Sequence, residues 1–168
     1  MSTVKQEYGT YTAMTVTNLQ SLASSISNGW QSDRVDLQTS VKPLDVEIFV
    51  KLTTANTIPA NDKAMYVYIC PMITTDGGTT WLVSDQGTTT LPTGTQGTTT
   101  IATPNNLKLV GVLSYTTTQM VCQGSFNLSN AVGLSMPDGF SIIILNFSGA
   151  ALSTSCVVAY RTITNSIT

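Results

Sequence analysis

The chain has 168 residues, of which 42% are apolar and only 10% charged, and its formal net charge is −2. That length suits a single domain, which buries roughly 70% of its unfolded surface and so stands without metals or crosslinks. The seven Lys and Arg are scattered singly and no run approaches about eighteen apolar residues, which excludes a phosphate-binding basic stripe and a membrane-spanning helix.

Residues 1–17 form a polar arm bearing Tyr8 and Tyr11, with no sustained apolar face. The two tyrosines are candidate contact residues, amphipathic anchors for a groove that a neighbour supplies. Residues 18–168 are expected to make one β domain. Leu19, Leu22, Ala23 and Ile26 recur at helical spacing, with Thr17 or Asn18 as N-cap and Gly29 past the end, which predicts one short N-terminal helix.

From Val46 the period changes to two. Val46, Ile48, Val50 and Leu52 point one way while Glu47, Phe49 and Lys51 point the other, as in a half-buried strand. After the turn at residues 58–62, Met65, Val67 and Ile69 alternate with Tyr66, Tyr68 and Cys70, and Pro71 restricts this strand to an edge or a bulge. The two strands are expected to pair antiparallel. Asp76-Gly77-Gly78 before Trp81-Leu82-Val83 reads as a hairpin with a short return strand.

Residues 84–103 repeat Gly-Thr-Thr-Thr at Gly87 and Gly97 and read as a long surface loop or a loose ribbon, a candidate contact surface. Strands are expected again at Leu107–Tyr115, with Leu107, Leu109 and Leu113 on one face, and at Gln119–Leu128, the two pairing by proximity. Phe140–Phe147 is continuously apolar at its centre, which predicts a central strand buried on both faces. Cys156–Ile163 makes a final strand. Threonine triplets at residues 88–90, 98–100 and 116–118 favour extended backbone, and the class expected is all-β: a jelly-roll-like antiparallel β-sandwich with the one short helix.

The chain contains no histidine, which removes Ser-His-Asp and Cys-His nucleophiles, imidazole zinc sites and the commonest general base. Asp33 with Asp36, and Asp45 with Glu47, remain as acid pairs. Glycoside hydrolysis needs two carboxylates across a sugar cleft, whereas acids near Arg34, Lys42 and Lys51 read as solvated or salt-bridged. Asp76 beside two glycines falls short of the roughly six to eight oxygens that calcium takes. Cys70, Cys122 and Cys156 are odd in number and far apart, and read as buried thiols. No glycine-rich phosphate motif stands between a strand and a helix. No catalytic, cofactor or metal residue is named.

Ser21-Leu22-Ala23-Ser24 leading into Ser32–Leu37, the strand Val46–Leu52, Ala64–Ile69 before the Asp76–Thr79 hairpin, Met136–Phe140, Asn146–Ser153 and Tyr160-Arg161 together resemble a family. The chain is similar, over residues 19–163, to the small β-sandwich proteins of bacteriophage virions that act as capsid decoration or accessory proteins. It departs in residues 84–103 and in its first eighteen residues. The resemblance implies a virion structural protein, made in the bacterial cytoplasm. It would bind the major capsid protein or another virion protein as a homo-oligomer, a trimer favoured, with no cofactor, nucleic acid or membrane. The alternative is a host-receptor or glycan-binding module of a tail or head fibre, using Tyr66, Tyr68, Trp81 and the Thr-rich loop.

Overall fold

The computed structural model describes residues 3–39, 42–55, 58–59, 63–83, 94–100, 107–115, 120–133 and 135–167. In chain order its elements are β1 (Val4–Tyr8), β2 (Thr12–Ala13), β3 (Asn28–Gln31), β4 (Val35–Asp36), β5 (Asp45–Thr53), β6 (Ala64–Thr74), β7 (Trp81–Val83), β8 (Gly97–Thr100), β9 (Lys108–Ser114), β10 (Val121–Asn127), α1 (Ser129–Val132), β11 (Gly139–Phe147) and β12 (Val157–Ile167). The strands form two antiparallel sheets. One runs β1-β12-β5-β10, with β2 also on β12; the other runs β7-β6-β11-β3-β8, with β4 on β11 and β9 on β6.

The sheets share a core that the period-two pattern of β5 anticipates. Val46, Ile48, Val50 and Leu52 are fully buried. They pack in one cluster with Met65, Val67 and Ile69 of β6, Ile142 and Ile144 of β11, and Val158 of β12. A one-residue slip of β5 would turn four aliphatic side chains outward, each worth about 1.5–3 kcal/mol of burial, so its register is strongly specified. β11 is the central strand expected from its continuous apolar run. It pairs β6 along its whole length on one side and β3 and β4 on the other. Its Phe140, Ile142 and Ile144 face the shared core, while Ile143 and Leu145 belong to a second cluster on the far face.

The N-terminal helix is absent: residues 17–21 form a turn, and α1 is the only helix among the described residues. Leu19 and Leu22 are buried as their spacing implied, but Ile26 is 77% exposed, so no helical stripe is completed. Ser21 adopts a left-handed conformation (φ 66°), and the Leu22 carbonyl accepts bonds from Leu152 N–H and the Asn146 amide instead of from a following helical turn. Tertiary partners outcompete a helix too short to persist alone.

Two expected hairpins are likewise replaced by crossovers. β5 and β6 lie in different sheets, as do β9 and β10. The face assigned to Leu107, Leu109 and Leu113 is also corrected. The β6–β9 register shifts between Val67 and Tyr68, where Gly111 and Leu109 are the partners and Val110 is the extra residue. This bulge sends Leu113 and Val110 to the shared core, whereas Leu107 joins the outer cluster and Leu109 is half exposed. Pro71 lies within β6, not at its end. The neighbour opposite β11 changes there from β9, which ends its pairing at Ile69, to β7, which begins at Met72, so the missing N–H breaks no ladder.

The polar arm is a strand pair on the first sheet: Val4–Tyr8 runs antiparallel to residues 163–167, and Thr12-Ala13 continues along the same edge of β12. Gly97–Thr100, within the segment expected as a loop or loose ribbon, pairs with β3 at the edge of the second sheet. Residues 94–96 lead into it outside any strand, and residues 84–93 and 101–103 lie outside the described residues.

Candidate functional site

The outer face of the first sheet gathers Tyr8, Tyr11, Glu47, Phe49 and Arg161. Arg161 sits opposite Glu47 in the β5–β12 register, and its Nε and Nη2 donate to one Glu47 carboxylate oxygen at 2.6 and 2.5 Å. Its guanidinium carbon lies 4.7 Å from the ring centres of both Tyr8 and Tyr11, and Tyr11 meets Phe49 edge-on at 6.1 Å. The arm is thereby held by a cation flanked by two aromatic rings, a contact worth about 0.5–1 kcal/mol per ring at exposed sites. Both tyrosines remain about half exposed, so they fasten the arm to its own sheet and still present surface.

Asp45, at the start of β5, accepts hydrogen bonds from Asn127 Nδ2 (2.7 Å), Ser129 Oγ (2.7 Å), Ser129 N (3.0 Å) and its neighbour Val46 N (2.8 Å). Burial pushes the Asp45 carboxyl up, but the donors from Ser129, Asn127 and Val46 outweigh it and hold the group below the ordinary carboxylate range. Asp45 therefore ties α1 and β10 to β5 as an anion, and Glu47 neutralises Arg161. A glycosidase acid needs the opposite environment, one that keeps its proton near neutral pH.

On the outer face of the second sheet, Tyr66, Tyr68 and Trp81 come together over Cys70, Met72, Ile143 and Leu145. Tyr66 and Tyr68 stack at 6.4 Å with planes 29° apart. Burial, with Tyr66 beside it, raises the Tyr68 phenol. Trp81 donates its indole N–H to Gly78 O at 2.8 Å, carries Arg34 4.2 Å above its ring, and lies so close to Gly139 that a β-carbon there would stand 2.7 Å from it. The hairpin beneath it is locked by Asp76, whose Oδ1 accepts from Thr79 N, Thr80 N and Thr74 Oγ1. Gly77 and Gly78 supply the positive φ that the turn requires. These bonds, Thr80's foremost, hold the Asp76 carboxyl low and engage it in its own loop.

Asp33 and Asp36 each accept a backbone bond, from Gln96 N and Gln38 N at 2.8 Å. Asp138 pairs with Lys42 at 2.6 Å and accepts from Thr74 N at 3.0 Å. Cys70, Cys122 and Cys156 are free and buried. Burial pushes the Cys70 thiol up to about 12 and the Cys122 thiol to about 11, so both are protonated at neutral pH and unreactive as nucleophiles. Among the described residues no group of three or more His, Cys, Asp or Glu converges on a metal-sized site.

No protein-family model matches the chain, and no curated protein matches it. Sequence reading found the tyrosines and Trp81 but not their partners. Arg161 and Arg34 each lie far along the chain from the rings they cover, and only the register of β5, β12 and β11 brings them there.

Proposed function

We propose that the chain is a structural bacteriophage virion protein, a capsid decoration or accessory protein that binds the particle surface as a homo-oligomer and catalyses no reaction. The observation that carries this reading is the strand order. Each step from β3 to β5 to β6, and from β9 to β10 to β11 to β12, crosses between the sheets. The second sheet consequently interleaves early and late strands as β3-β11-β6, with β9 beyond β6. Such interleaving is the pattern of a jelly roll, an architecture used by viral capsid and lectin domains.

Fold alone does not decide function. The chemistry of the surface supports the same reading: Asp45, Asp76, Asp138 and Glu47 are all engaged in holding the fold. What remains outside is hydroxyl-rich and low in charge. The test is to strip particles of accessory proteins and add the purified chain. Saturable rebinding at a fixed ratio to the major capsid protein is expected; absence from purified particles together with failure to rebind refutes the proposal.

The clustering of Tyr66, Tyr68 and Trp81 on one face favours a second reading, a receptor- or glycan-binding module of a fibre. Host envelope glycans would then bind at millimolar concentration or better and lose binding in a Tyr66→Ala, Tyr68→Ala variant. Trp81 is a poor probe because Arg34 already lies over its ring and Gly139 packs against it.

A further inference from the structure

β1 is an edge strand with a self-complementary sequence. It pairs β12 on one side only among the described strands, and all five of its residues are exposed. Val4, Tyr8 and the facing Ile167 are 64%, 55% and 76% exposed, so the ribbon of β1 and the end of β12 stands beyond the shared core. A two-stranded ribbon is marginal in water, and an unpaired edge invites another strand.

The hydrogen-bond parity of that edge follows from one bond. Gly9 N donates to Thr162 O at 2.9 Å, in the same register that sets Tyr8 opposite Ile163. In an antiparallel ladder the residues that bond a given neighbour alternate. Lys5 and Glu7 therefore direct their backbone groups at β12, while Val4, Gln6 and Tyr8 direct theirs outward.

We propose that two copies of the chain pair through β1, antiparallel about a two-fold axis at Gln6, joining their first sheets into one continuous sheet. In that register Gln6 meets Gln6 of the second copy, and Val4 meets its Tyr8. These are the residues whose N–H and C=O groups point outward, so six ladder bonds form with no change of backbone. Lys5 meets Glu7 of the second copy, twice by symmetry, at the non-bonded positions where Cα atoms approach to about 4.5 Å and side chains are closest. Opposite charges thus face each other and apolar Val4 covers Tyr8. Lys5 has no ion-pair partner within the chain among the described residues, and Glu7 is bonded to Ser166 Oγ, at 2.6 Å. A lysine on an edge strand repels unrelated strands; here the same lysine admits a second copy. An isologous contact of this kind closes at two subunits.

The pairing deepens the homo-oligomer part of the proposed function and is independent of the particle. The test is sedimentation equilibrium of the full chain over a wide concentration range. A dimer is expected whose association weakens about tenfold or more in Lys5→Glu and in Glu7→Lys, because each change turns two attractive cross-strand pairs into repulsive ones. Mixing the two single variants, or combining both changes in one chain, restores association. Gln6→Pro abolishes it while leaving the circular dichroism of the fold intact, since the Gln6 N–H points outward. A monomer at all concentrations, a double variant as weak as the singles, or a trimer indifferent to Gln6→Pro overturns the pairing and leaves particle binding standing. Failure to rebind stripped particles, with a dimer that obeys the charge swap, does the reverse.

Discussion

Asn146, near the end of the central strand before the chain reverses, is fully buried and uses every polar atom of its side chain. Its amide nitrogen donates to Leu22 O at 2.9 Å and Ala150 O at 2.8 Å, and its oxygen accepts from Ser148 N at 3.1 Å and Ser148 Oγ at 2.6 Å. Replacing it with alanine orphans the buried Ser148 N–H. The two carbonyls fare better, since Leu22 O keeps Leu152 N and Ala150 O keeps Ser148 Oγ. One stranded donor and the loss of three further bonds, whose partners all keep another contact, amount to about 3–5 kcal/mol. At about 2–4 °C per kcal/mol for a domain of this size, the Tm of Asn146→Ala falls by roughly 10 °C. Asn146→Asp is worse at neutral pH, because a carboxylate then faces two carbonyl oxygens. That carboxyl is raised in the folded state above its unfolded value of about 3.9. The variant is least impaired below that value, where both states hold the proton, and its stability declines as pH rises through the raised folded value. Urea unfolding of both variants across pH measures this. An Asn146→Ala midpoint equal to wild type, or an Asn146→Asp profile parallel to wild type, refutes the network as a source of stability.

Two further outcomes follow from single contacts. Asp45→Ala is expected to cost about 1–2 kcal/mol in urea unfolding, because its partners Asn127 and Ser129 are half exposed and water replaces part of what is lost. Asp45 is held low in the folded state, so its contribution is present above the unfolded carboxyl range of about 4 and disappears as pH falls through the lower folded value; the difference between wild type and Asp45→Asn should shrink in acid. Gly111→Ala would drive a β-carbon into the Phe126 ring, across the junction of β9 and β10. The ring must move, at about 1–3 kcal/mol. Phe126→Leu in the same chain is expected to recover part of that loss, and strict additivity of the two changes would contradict the contact.

What the sequence by itself determined is which side of β5 and of β6 is apolar, and that β11 is buried on both. Val46 to Leu52 alternates without error, Met65 to Ile69 likewise, and the unbroken run from Phe140 marks a central strand buried on both faces. The hairpin at Asp76 was legible too, because side-chain chemistry within six residues closes it. These features are local, and local sterics and periodicity suffice for them.

Beyond the β6–β7 hairpin, tertiary structure alone decided which strands pair. Chain proximity favoured β5 with β6 and β9 with β10, yet each pair is split between sheets, because hydrophobic faces must close over a common core and that requirement has no period along the sequence. The same holds for the short strands β3 and β4, whose mostly polar residues 28–36 carry no alternation and are ordered by β11. The bulge at Val110 reverses a face that strict alternation had assigned. The candidate contact residues divide in the same way: Tyr8, Tyr11, Tyr66, Tyr68 and Trp81 stand out as aromatic in a low-charge chain, but Arg161 and Arg34 become their partners only through non-local register. A residue's preference for a buried or exposed face is a property of its side chain; its neighbour across a sheet is a property of the whole closed fold.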